Sequence, residues 1–115
     1  MGNLLTIIGI VTSLCCGPAL AETSETVQEI LGRTMENGNV KNAHIYADGT
    51  LDGVFNGISY AGNWSLDGGK FCRELTRGLV GERTCLELAP VRDLTGALTA
   101  VDFLASDVVT RFELR

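Results

Sequence analysis

Cys72 and Cys85 enclose a short loop and offer either a disulfide or a reactive thiol. A nucleophilic or redox thiol needs a neighbouring cation or imidazole to lower its pKa. The chain has one histidine, His44, in a distant segment, which favours a structural disulfide. His44 has no Cys or His close by in sequence, so its position does not suggest zinc. A Ser–His–Asp set assembles only in the fold, but the chain lacks the strained Gly-x-Ser-x-Gly turn that exposes such a serine. Asp48, Asp52 and Asp67 each precede a glycine. A calcium loop needs oxygen ligands at alternating positions and a closing bidentate carboxylate; Asp-Gly is also the ordinary composition of β-turns, and turns are the expectation here. Glu74 and Glu87 flank the two cysteines and are expected on an exposed sheet face rather than as an acid–base pair. Tyr60 and Trp64 form the aromatic pair with a choice of role: core filling, or the wall of a pocket for a small apolar ligand. No catalytic, cofactor-binding or metal residue is assigned, no cofactor is implied, and enzyme activity is not expected.

The elements that must position these residues are mostly strands. Residues 24–31 read as a short helix, with Thr26 and Glu29 as a capping box. Val27, Ile30 and Leu31 give it one apolar face, and Gly32 stops it. After Gly38, turn residues recur every few positions. Segments 42–47, 50–55, 58–66, 70–76, 84–89, 97–104 and 108–114 read as strands, the last two joined through Ser106-Asp107. Asn56-Gly57 between two alternating runs marks a tight hairpin, because both central residues of a type I′ turn need positive φ. In the second arm Ile58, Tyr60, Trp64 and Leu66 share a core face, and Ser59 and Ser65 share the solvent face. If Cys72 and Cys85 sit opposite each other, Phe71, Leu75, Leu86 and Leu88 fall on a common face. Glu74 then faces Arg83, and the hairpin loop spans 77–80. Pro90 ends its strand or marks an edge. Sequential hairpins without a crossover helix predict a mainly β fold: a curled antiparallel meander or partial barrel of six or seven strands, with the helix over an open side.

The first segment sets the compartment. Leu4–Leu14 is uncharged and rich in Leu, Ile and Val; Pro18 follows, then Ala19-Leu20-Ala21 and the acidic Glu22-Thr-Ser-Glu25. Residues 1–21 therefore read as a cleavable secretory signal, although no Lys or Arg precedes the apolar run. Residues 22–115 form one small domain, too short for two cores. A periplasmic or secreted location is expected, with membrane contact only through the signal during export. Such a compartment is oxidising, which again favours a Cys72–Cys85 disulfide. The net charge of −5 and its scattered distribution argue against nucleic acid, whose binding needs clustered Lys and Arg.

Asp48-Gly49, Gly53, Gly57, Gly62-Asn-Trp64, Gly69-Lys-Phe71-Cys72-Arg73-Glu74-Leu75, Cys85 and the final Phe112-Glu-Leu-Arg115 give the chain a recognisable signature. It resembles a group of short exported alphaproteobacterial proteins, many of which carry the label dihydrodipicolinate reductase. The likeness covers residues 24–115 and is most specific in the Gly-x-Trp…Phe-Cys-Arg…Cys core. It implies export, a disulfide and a β fold, and it supplies no catalytic residue. A nicotinamide reductase needs a Gly-rich turn between strand and helix to hold the pyrophosphate. This chain has no Gly-x-Gly-x-x-Gly and no room for such a unit beside a substrate domain.

These features point to a non-catalytic exported binding or accessory module that contacts a protein or envelope component. The alternative is a lipocalin-like carrier of a small apolar ligand around Tyr60 and Trp64, although the few large side chains suggest a filled interior. A cavity would favour the carrier, and an exposed apolar patch the module. A buried, partnered His44 beside a hydroxyl would revive an enzyme.

Overall fold

The computed structural model describes residues 18–115, with side chains from Glu22 onward. The apolar run 4–14 and its relation to a signal peptide therefore lie outside the described residues.

The helix, α1 (Pro18–Ile30), is longer than expected from its apolar residues alone. Its buried face consists of Thr23, Thr26, Val27 and Ile30. That spacing of i, i+3, i+4 and i+7 is one helical stripe, half of it threonine, which is why hydropathy underreports it. Thr26 is not a cap: its hydroxyl donates to the Glu22 carbonyl one turn back, and Glu29 reaches Arg92 instead of the backbone. The expected capping box is thus replaced by interior bonds, because the helix begins upstream of it. Gly32, in the left-handed region with φ +77°, turns the chain out of the helix, and its N–H donates to the Ile45 carbonyl.

Eight antiparallel strands follow in sequence order and close into a barrel. They are β1 (Met35–Glu36), β2 (Val40–Ile45), β3 (Thr50–Phe55), β4 (Ile58–Asp67), β5 (Lys70–Arg77), β6 (Leu79–Arg92), β7 (Leu98–Ala105) and β8 (Val108–Leu114). Two of them, β3 and β8, match the sequence expectation end to end. The strand that sequence reading missed is β1. It has two residues and no alternation to betray it, yet it pairs with both β2 and β8 and so closes the cylinder. Asn56 and Gly57 have φ of 47° and 86°, as the tight β3–β4 turn requires.

Cys72 and Cys85 pair directly across β5 and β6 and form the disulfide, with Cα atoms 3.9 Å apart. The expected register holds from Phe71 to Arg73 and then breaks. Arg73 pairs with Thr84 but Leu75 with Gly81, so Glu74 faces both Glu82 and Arg83 across a bulge. Arg83 turns away and binds Asp67 at 2.7 Å. Pairing then continues to Arg77–Leu79, leaving a tighter turn than the expected 77–80 loop.

β6 is much longer than its expected six residues because it serves two neighbours in turn. It pairs with β5 up to Leu86 and with β7 from Glu87 onward. Past the start of β5 its free edge is taken by α1. The Leu88 N–H donates to the Thr23 hydroxyl at 3.1 Å, and the same oxygen lies 3.5 Å from the Leu88 carbonyl. Pro90 has the same orientation as Leu88, two residues on, so its missing N–H falls on this edge and costs the β7 ladder nothing. Proline here marks an edge rather than a strand end.

Asp102 on β7 and Arg111 on β8 are directly opposed and joined by two hydrogen bonds of 2.7 and 3.0 Å. That contact holds the Asp102 carboxyl below its usual pKa. A depressed folded-state pKa adds stability above the unfolded value and loses it as pH falls through the folded one. Asp102→Asn is therefore expected to lower the thermal midpoint slightly at neutral pH, with the difference from the parent vanishing in strong acid. Melting curves across that pH range check it.

Candidate functional site

An eight-stranded barrel is just wide enough either to be filled by side chains or to hold one small ligand. Here the two ends differ. At the end covered by α1 the interior is filled: Val27, Ile30, Phe71, Leu88 and Val101 are all at most 1% exposed. Phe71 stacks on Trp64 with ring centres 5.8 Å apart and meets Phe103 edge-on, also at 5.8 Å. The Trp64 ring nitrogen donates to the Tyr46 carbonyl at 2.8 Å, so its polar edge is satisfied.

Towards the other end, where the β3–β4, β5–β6 and β7–β8 turns gather, the interior opens into a cavity of about 460 Å³. All eight strands contribute to its wall. Its apolar lining includes Val40, Leu51, Phe55, Leu75, Leu86 and Phe112. The expectation of a filled interior thus holds for one end and is overturned at the other. Bulk is missing there for a local reason: Gly53 stands directly opposite Tyr60, and the Tyr60 ring lies across it in the space a Cβ would need. Desolvation raises the Tyr60 phenol's pKa, partly opposed by the positive charge of Arg73.

The two sequence-designated aromatics therefore part company. Tyr60 lines the cavity, while Trp64 packs on Phe71 in the filled half. Ile58 and Leu66, expected on the same core face, are 47% and 36% exposed because they occupy the ends of β4. Ser59 and Ser65 are exposed, as expected of the outer face. Glu74 and Glu87 are not brought together: one lies two residues beyond the disulfide towards the turn, the other two residues beyond it the opposite way. Asp48 accepts hydrogen bonds from the Thr50 backbone and hydroxyl, a turn role. Among the described residues, no group of three or more His, Cys, Asp or Glu side chains converges as metal ligands would.

Sequence reading missed the surroundings of His44. Its Nε2 lies 2.9 Å from the Thr34 hydroxyl, and its Nδ1 lies 3.4 Å from Asp52. The order hydroxyl–imidazole–carboxylate is that of a triad. Its placement differs. His44 and Asp52 are half-buried, alternating along β2 and β3 with the buried Ala43, Ile45 and Leu51, and both border the cavity. Asp52 also accepts from the Tyr46 hydroxyl at 3.0 Å, and its side chain is 46% exposed. Thr34 is not part of the cavity wall. The set ties the start of β1 to β2 and β3; His44 and Asp52 border the cavity, while the Thr34 hydroxyl does not.

Searches against protein-family models, curated proteins and solved structures find no match to this chain.

Proposed function

We propose that this chain is a non-catalytic exported carrier that holds a small, largely apolar ligand inside the open half of its barrel. The observation that carries the reading is the cavity of about 460 Å³, apolar in most of its wall and backed by a rigid filled end. That volume lies within the roughly 300–1,000 Å³ usual for small-molecule sites. Tyr60 is its aromatic wall. The more general expectation of a binding module is kept, with the ligand rather than a protein as its first partner.

Export is supported by the signal-like residues 1–21 and by the disulfide. Cleavage after Ala21 would leave Thr23, Thr26, Val27 and Ile30, the buried face of α1 among the described side chains, in the mature domain. No helix among the described residues is long and apolar enough to cross a membrane.

A second observation favours a contact surface at the same end. Phe55, Ile58, Val80 and Val108 flank the turns around the mouth and are 37–81% exposed. Apolar tips beside a cavity suit a surface that receives or delivers an apolar ligand.

Ala105 on β7 projects into the cavity. The neutral fluorophore N-phenyl-1-naphthylamine is expected to brighten on binding the parent protein, and Ala105→Trp to weaken that binding at least about tenfold by occupying the space. Thermal unfolding of the variant separates a blocked cavity from a lost fold. Equal binding by a folded Ala105→Trp would place the probe elsewhere and contradict the carrier reading.

A further inference from the structure

Among the residues that line the cavity, Arg73 is the one Lys or Arg. Arg73 lies on β5 between Phe71 and Leu75, and the two-residue period of a strand puts all three on the inner face. Its cross-strand neighbours agree: Trp64 on β4 and Thr84 on β6 are directly opposite it. Four exposed arginines have carboxylate partners, Arg83 with Asp67, Arg92 with Glu29, Arg111 with Asp102 and Arg115 with Glu36, whereas Arg77 stands exposed at the end of β5 and outside the cavity wall. Arg73 makes no ion pair or hydrogen bond among the described residues. Asp52 also borders the cavity, but its carboxylate is engaged by Tyr46 and His44 and makes no ion pair with Arg73.

An inward guanidinium with no ion-pair partner is costly inside a mostly apolar wall. It is also surrounded by the right auxiliary groups. Tyr60 and Thr84 line the same cavity, and the charges of Arg73 and Asp52 are both felt at the Tyr60 phenol. A guanidinium presents a planar fork of donors matched to two oxygens of one anion. Most of the remaining wall is apolar, with Asn37, Asn39, His44, Asp52 and Thr110 as its other polar members.

We propose that the ligand is a single-chain amphiphile whose anionic head, a carboxylate or a phosphate monoester, is bound by Arg73 while its apolar body fills the space between Phe55, Leu75 and Phe112. This rests on the carrier reading and adds the ligand's polarity to it. In an acidic protein of net charge −5 the preference is local, set by one interior cation against a surface that repels anions.

The test is displacement of N-phenyl-1-naphthylamine by decanol, decanoate and decyl phosphate at neutral pH and moderate salt. One or both anions are expected to displace the probe at concentrations about tenfold or more below decanol, the size of a charge-assisted hydrogen bond. The tighter anion identifies the head group. In Arg73→Gln the ratio of anion to alcohol is expected to collapse towards one, and in Arg73→Lys part of it is expected to return. A guanidinium that merely packs its stem along the wall would leave that ratio unchanged. Equal displacement by all three ligands in the parent would overturn the role of Arg73 and leave the carrier standing. Failure of the neutral probe to bind the parent at all would remove the carrier reading itself, and the assignment to Arg73 with it.

Discussion

Phe71→Ala is expected to cost about 3–5 kcal/mol, the usual range for deleting a buried aromatic ring. A small domain has only ~5–10 kcal/mol to lose, so the variant should be close to unfolding at room temperature. Phe71 is 1% exposed and touches both halves of the aromatic cluster, Trp64 on one side and Phe103 on the other. Phe103 in turn meets Phe112 edge-on at 5.2 Å. Removing the Phe71 ring therefore leaves Trp64 and Phe103 without their shared neighbour, in an interior whose strands cannot collapse inward while the barrel stays closed. The existing cavity lies next to this cluster, and Phe71 borders it as well. The variant joins that space to a new void and weakens the floor on which a ligand rests. Urea unfolding followed by Trp64 fluorescence measures the loss. A change below about 1 kcal/mol would show that the filled half is not tightly packed.

The second large effect concerns Cys72 and Cys85. Replacing both by alanine is expected to remove about 3 kcal/mol, the chain-entropy value for a loop of this size. For a domain this small, each kcal/mol moves the midpoint by roughly 4–8 °C, so a fall on the order of 10–20 °C follows. The position of the bond explains why the barrel uses it. It sits beside the bulge at Glu74, where the β5–β6 ladder slips, and just before β6 leaves β5 for β7 and α1. A crosslink there pins the pair where strand pairing is most interrupted. A midpoint shift of only a few degrees would mean that the hairpin already forms in the reduced, unfolded chain, so that the bond restricts little.

Strand pattern carried most of this architecture, because period-two alternation and Asn-Gly or Asp-Gly punctuation are local signals. The opposition of Cys72 and Cys85 was legible for the same reason: cysteines and apolar residues imposed one register. What escaped detection was non-local. β1 owes its two residues to β2 and β8 rather than to any pattern of its own. The buried threonines of α1 look polar until Leu88 is found to need a donor and an acceptor on its open edge. The break at Glu74 came from a bulge that composition does not encode. The cavity was weighed against a filled core, and counting large side chains favoured the core. That count cannot show that Trp64 and Phe71 concentrate at one end while Gly53 and Ala105 thin the other. Arg73 was visible only as part of the Phe71-Cys72-Arg73 string; its inward position follows from strand period, but its isolation from carboxylates requires the fold.

Amide NMR of the isotope-labelled protein, titrated with decanol, locates the ligand without relying on any substitution. A carrier barrel predicts saturable shifts concentrated at Phe55, Tyr60, Leu75, Leu79 and Ala105, with Leu88 and the helix residues Val27 and Ile30 little affected. Shifts confined to the ion pair of Asp102 and Arg111 outside the cavity wall, or none at all, would contradict the claim that the open half of this barrel is a binding site.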